Sequence, residues 1–173
     1  MPKSTLAGHP AHPILVTFPV GLLPFSFAMD LVYLATGRRV YAKTSYYSMI
    51  AGFCGGLVAA VTGAADYWSI PADSPANRTA NIHALLNAAL LTTYGVNLFR
   101  RRGKRVPSGK LETLLSGTGT LGLLISGWFG GSLVYKYGLR VHGVDPIAHA
   151  PEARLPGDER LEQALERFEK PAA

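Results

Sequence analysis

Four long apolar stretches separated by short polar connections dominate the pattern of the chain: Ile14–Ala35, Tyr46–Ser69, Ile82–Phe99 and Leu114–Tyr135. As helices rising about 1.5 Å per residue, each is long enough to cross a hydrocarbon core of about 30 Å. A helix of a water-soluble bundle shows a polar face at every third or fourth residue. The runs Phe53–Ala65 and Leu121–Val134 carry no charge on any face. The pattern predicts an all-α fold: an integral membrane four-helix bundle over residues 1–143, followed by a polar extracytoplasmic tail over 144–173. The first stretch is too long for a signal peptide, has little basic sequence before it and contains Asp30, so it reads as a retained span.

The tail breaks the apolar pattern. Pro146, Pro151 and Pro156 punctuate an irregular segment. From Asp158 to Glu169, acids and bases alternate around Leu161, Leu165 and Phe168, which share a face at helical spacing. That predicts a short amphipathic helix lying on the bundle or membrane, docking a partner, or standing as a solvated tail.

Composition agrees with lipid as the solvent. Only 16% of the 173 residues are charged, against about 25% in soluble domains, while 48% are hydrophobic. The hydrophobic content excludes a disordered chain. Cys54, the one cysteine, excludes an intrachain disulfide or a cysteine-ligated cluster. The net charge of +6 is explained by its placement. Arg38, Arg39 and Lys43 lie between spans one and two; Arg100, Arg101, Arg102, Lys104, Arg105 and Lys110 lie between three and four. The other side holds Lys3, Arg78, Lys136 and Arg140. The excess marks the two odd-numbered connections as cytoplasmic and both termini as extracytoplasmic in a bacterial inner membrane. Anionic lipid is the implied partner of this charge. The run at 100–105 lacks interleaved aromatics and abuts a span, which argues against nucleic acid.

Small residues recur on common faces: Gly52, Gly56 and Ala60 beside Gly55, Ala59 and Gly63 in span two, and Gly119, Gly127 and Gly131 beside Gly122, Ser126 and Gly130 in span four. They permit close helix approach, or room for a flat ligand such as a porphyrin. Pro19 and Pro24 suggest a bent, buried first span. Trp68, Trp128, Tyr46, Tyr47, Tyr135 and Tyr137 read as interfacial anchors, and mid-span Cys54 as packing. No repeat between the two halves is apparent.

The candidate chemistry lies in the histidines. His9 and His12 precede span one, His83 opens span three and His142 follows span four, all on the outer side with Asp66 at the end of span two. His149 is farther along, in the tail. Singly, each reads as a polar anchor; together they suggest one site. Pro13 makes His12 the expected cap of span one, and His83 is expected in the first turn of span three. Both would then be neutral at the positive end of a helix dipole, the form that ligates a metal. Asn87, four residues after His83, shares its face. Asp66 needs a partner, either Arg78 or a histidine N–H that it would orient. Asp30 lies about 27 Å from His12 along the helix and belongs to another site. It is expected to pair with Arg38, Arg39 or Lys43, or to bond between helices, with a proton relay as the sharper alternative. No nucleophile–base pair, phosphate loop or hydrolytic carboxylate pair is present in the pattern.

The sequence resembles a large bacterial family of uncharacterised predicted membrane proteins. The motifs are Gly8-His9-Pro10-Ala11-His12-Pro13, Phe18-Pro19-Val20-Gly21 and Asp30-Leu31; Gly63-Ala64-Ala65-Asp66-Tyr67-Trp68 and Asn81-Ile82-His83-Ala84; and Gly127-Trp128-Phe129-Gly130-Gly131-Ser132-Leu133-Val134-Tyr135 with Gly138 and Val141. The likeness extends over 8–143 and implies a four-helix membrane bundle. Relatives that look joined to Rieske-type domains, and a plan similar to small b-type cytochromes, imply redox work. Two-haem cytochromes need ligands at both membrane faces, and the inner side here has no histidine, so one outer haem is what the resemblance allows.

Three functions follow as expectations. The first is electron transfer through one b-type haem near the outer face. Its axial ligands would be His12 and His83, with His9 or His142 as substitutes, Asp66 orienting a ligand or handling a proton, and a quinone or redox protein as partner. The second is a copper or zinc site built from His9, His12, His83, His142 and Asp66. The third is a structural or accessory subunit of a membrane complex. All three point to an electron-transfer or accessory protein more than a stand-alone enzyme.

Overall fold

The computed structural model describes residues 5–6, 9–104, 106–139 and 141, together with Arg160, Gln163, Ala164 and Arg167 of the tail. Those four tail residues are helical and exposed; the rest of the expected amphipathic helix, with His142 and His149, lies outside the described residues. A minimal hairpin pairs β1 (Thr5–Leu6) antiparallel with β2 (His9–Pro10). Four helices follow: α1 (Ala11–Thr36), α2 (Arg39–Tyr67), α3 (Pro75–Arg101) and α4 (Lys110–Tyr135).

The helices outrun the apolar stretches that predicted them, because a membrane helix continues into the polar interface. Two expected positions change as a result. His12 is inside α1, not its cap; Pro10 occupies the cap position. Pro13 fits the first turn because the N–H it lacks would have no intrahelical acceptor there. α3 starts at Pro75, directly after Ser74, a favoured first position for proline. His83 therefore sits about two turns into α3, not in its first turn.

The bundle is polar inside and apolar outside. Ser26, Asp30, Ser45, Thr79, Asn97, Arg101, Glu112, Ser116 and Ser126 are buried. Val61, Leu85, Phe99 and Leu124 are each more than 60% exposed. Such a distribution is stable only where the surrounding solvent is hydrocarbon. α1, α2 and α3 are each long and apolar enough to span it, and α4, of similar length, packs against α3 and α1. Cys54 faces outward and is not interior packing. Trp68 and Tyr135 are exposed at helix ends, where interfacial aromatics sit.

Helices adjacent in sequence pack together, and α4 closes back on α1, leaving α1 diagonal to α3 and α2 diagonal to α4. Each helix turns a seam toward the axis. On α1 the seam is His12, Val16, Pro19, Leu23, Ser26 and Asp30; on α3 it is His83, Asn87, Leu90, Tyr94, Asn97 and Arg101. The alternating steps of four and three residues give the mean period of 3.5 that keeps a seam facing its neighbours in a left-handed bundle. Midway, Leu23, Met49 and Tyr94 form an apolar plug, with Phe53, Leu98 and Leu123 against it.

The two hairpins, α1–α2 and α3–α4, follow one plan. His83 and Arg101 follow His12 and Asp30 by the same 71 positions. A Cβ on Gly52 of α2 would fall 2.8 Å from Leu23; one on Gly119 of α4 would fall 2.7 Å from the ring of Tyr94, the counterpart of Leu23. These glycines, with Gly55 under Phe18 and Gly122 under Leu90, are seats for side chains. Close packing thus uses the space that a flat ligand would need at these four positions. The absence of an apparent repeat in the sequence is corrected here: the repeat is geometric, and its matching positions mostly carry different residues.

Candidate functional site

The axis is crossed by two polar pairs, one near each end. At the histidine end, Nδ1 of His12 donates to the carbonyl of Ala59 on α2 at 2.8 Å. Nδ1 of His83 donates to the carbonyl of Ser126 on α4, also at 2.8 Å, with Ser126 Oγ 3.1 Å away. A carbonyl only accepts, so Nδ1 carries the proton in both rings. The chain separation is 47 residues in the first pair and 43 in the second, so the second hairpin repeats the first with four fewer residues. Each ring also rests on a glycine one turn farther along the same helix. A Cβ on Gly63 would lie 2.9 Å from His12 Cε1, and one on Gly130 would lie 2.9 Å from His83 Cε1. The rings meet edge to face, with centroids 6.4 Å apart and planes at 87°. Asn87 donates through Nδ2 to His83 Nε2 at 3.1 Å and to the His83 carbonyl at 2.8 Å.

The other proposed ligands are placed differently. His9 is exposed on β2, opposite Leu6. Asp66 is buried near the end of α2, where its backbone carbonyl accepts from Ser69 Oγ at 2.6 Å. The Nδ1 side of each imidazole is oriented by a backbone carbonyl, that of Ala59 for His12 and that of Ser126 for His83. Among the described residues no three His, Cys, Asp or Glu side chains gather as a metal site.

At the opposite end Asp30 pairs with Arg101, not with Arg38, Arg39 or Lys43. Nη1 of Arg101 reaches Asp30 Oδ1 at 2.9 Å and Nη2 reaches Oδ2 at 2.6 Å, with both side chains fully buried. The remaining donors of Arg101 are met by Asn97 Oδ1, Ser45 Oγ, Ser116 Oγ and the Glu112 carbonyl. Ser108, in the α3–α4 connection, and Ser116 donate to the carboxylate, each at 2.8 Å. A buried pair is tolerable only with such saturation, and here a bidentate fork meets it. Just beyond, Glu112 binds Lys104 at 2.8 Å and Arg100 at 3.4 Å, fastening the connection to α4. Sequence reasoning took Arg101 for one of a run of topogenic cations. The signal that marks it is positional: it shares the seam of Asn97, four residues earlier, and follows His83 as Asp30 follows His12.

The family model described as a predicted membrane protein (DUF2231) matches residues 8–143. The chain belongs to this family. The matched span of the DUF2231 chain takes in all four helices and both axial pairs, and stops short of the tail. No curated protein and no solved structure matches the chain.

Proposed function

We propose that this DUF2231 chain is a membrane electron-transfer protein holding one b-type haem between His12 and His83 near the extracytoplasmic face. The observation that carries the reading is the edge-to-face meeting of two imidazoles from diagonal helices at the bundle axis, 6.4 Å between ring centres. Two imidazole nitrogens each about 2.0 Å from a shared ion put their ring centres about 6 Å apart. The hydrogen bonds at Nδ1 leave Nε2 as the ring nitrogen that would meet a metal, the second-sphere arrangement found behind metal-bound histidines, although His83 Nε2 is bonded to Asn87 in this structure. At the level of the rings α2 carries Gly63 and α4 carries Gly130, and the imidazoles themselves fill the space against these glycines.

When bound, haem supplies a one-electron couple whose potential is set by axial ligation and burial. The chain's own part is to hold the two ligands, exclude water from one side with the Leu23–Met49–Tyr94 plug, and close the far end with the Asp30–Arg101 pair. A quinone or a redox subunit on the outer side is the exchange partner in this reading, and the basic connections face the cytoplasm and anionic lipid. The same lone pairs would suit a copper or zinc ion, although three or four donors are usual for zinc.

The deciding experiment is absorption spectroscopy and elemental analysis of detergent-purified protein expressed with ample haem. One haem per chain with a Soret band is expected, lost in a folded His12→Ala/His83→Ala variant. Stoichiometric copper or zinc without that band selects the ion. Neither, in folded protein, overturns both and leaves an accessory subunit.

A further inference from the structure

Beyond α4 the chain makes a tight reversal. Gly138 stands at φ +63°, Leu139 N–H donates to the Leu133 carbonyl at 2.9 Å, and Gly138 N–H donates to the Val134 carbonyl at 3.1 Å. This glycine-terminated cap sets Tyr137 and Leu139 against the α2–α3 connection. Together with Ile70, Pro71, Pro75 and Ala76 they line an apolar groove of about 290 Å³ at the histidine end of the bundle. Small-molecule sites run to about 300–1,000 Å³, so this groove is on the scale of a few side chains. The surface around it is basic. Arg78, early in α3, is exposed, and so is Lys136, whose Nζ lies 5.7 Å from the centre of the Tyr137 ring. Asp73 is the neighbouring acid. α3 also starts here with no acidic residue in its first turn, and Ser74 gives its hydroxyl to the Pro71 carbonyl instead of capping the helix. An acidic partner complements such an end.

We propose that this groove is the docking site of the chain's own tail segment, Asp158–Glu169, seated through Leu161, Leu165 and Phe168. The tail starts at the groove's own wall, just past Leu139. The residues between Val141 and Leu161 can span tens of ångströms, so reach does not limit docking. Tethering holds the segment at about millimolar effective concentration, and a weak site is then enough. Within the segment Asp158, Glu159, Glu162, Glu166 and Glu169 outnumber Arg160 and Arg167. A helix that lies on a bilayer carries lysine and arginine on its polar face, so this acidic pattern favours the basic end of the bundle over lipid. Arg160, Gln163, Ala164 and Arg167 are helical and exposed, and at helical spacing they share a face apart from the three apolar residues. Docking leaves that face to solvent and covers the start of α3, about two turns from His83. It does not depend on the haem reading.

The test uses the full-length chain in detergent, with Cys54→Ser as background. Ala76→Cys reports from the groove, and Asp73→Cys, beside it but outside the lining, is the control. The triple change Leu161→Ser/Leu165→Ser/Phe168→Ser should raise the maleimide labelling rate of Ala76→Cys about tenfold or more and leave that of Asp73→Cys unchanged. Leu165→Ser alone replaces the triple change if that protein does not elute folded. A short bismaleimide should join Ala76→Cys to Leu165→Cys within one chain, and to Gln163→Cys far more slowly. Equal labelling of Ala76→Cys with and without the apolar side chains overturns the proposal. So does equal cross-linking from Leu165→Cys and Gln163→Cys, the mark of a solvated tail, and so do cross-links between chains, the mark of a second copy.

Discussion

Asp30 and Arg101, 71 residues apart in the chain, close the end of the bundle axis opposite the histidines with two hydrogen bonds of 2.9 and 2.6 Å. Their counterparts one helix length away, His12 and His83, face each other with the same separation in sequence. Two hairpins built to one plan thus meet at both ends across a common axis, through an ion pair at one and a pair of imidazoles at the other.

Breaking the ion pair from one side leaves a buried, uncompensated charge. Arg101→Met or Asp30→Leu should destabilise the detergent-solubilised protein by about 3–5 kcal/mol, while the double variant should lose clearly less than the sum. Thermal or denaturant unfolding followed by circular dichroism gives the comparison. Additive losses would show that the pair contributes no coupling to stability.

The glycines of α4 should respond in opposite ways to the same methyl group. At Gly119 a Cβ would press on the Tyr94 ring at 2.7 Å, and Gly119→Ala should cost about 1–3 kcal/mol. At Gly127 nothing lies within 4 Å, so Gly127→Ala should be neutral or stabilise by up to about 1 kcal/mol through helix propensity. Melting temperatures of the two variants, measured side by side, test the seat under Tyr94. Equal temperatures would contradict it.

Orientation is open to chemical labelling. In a Cys54→Ser background, Lys43→Cys at the start of α2 should react with a membrane-impermeant maleimide only after the cytoplasmic side is exposed. Asp73→Cys, in the α2–α3 connection, should react in intact spheroplasts. Both positions are exposed in the structure, so accessibility does not limit the reaction. The reverse pattern would invert the topology and move the histidine pair to the cytoplasmic side.

Much of the architecture was legible because lipid imposes a coarse rule that composition alone satisfies. Four apolar runs, a deficit of charge and a basic bias to alternate connections are properties of segments, and they survive an error of a turn at either end. The histidine candidates were legible as residue types on one side of the membrane, and His12 with His83 do meet. Their local settings were misjudged because helix ends were read from hydropathy: α3 begins at the Ser74–Pro75 signal, and α1 includes His12 despite the following proline.

The sequence by itself determined the medium, the helices and the spacing along each seam, since burial in hydrocarbon and a period of 3.5 act on one helix at a time. Only the tertiary structure decided which seam positions face which. Arg101 could meet Asp30, and His12 could come edge to face with His83, only once rotation and register were set between helices and a buried polar group had found its donor. The shared plan of the two hairpins was hidden for the same reason. Interlocking shapes such as Leu23 over Gly52 and Tyr94 over Gly119 preserve geometry without preserving residue identity.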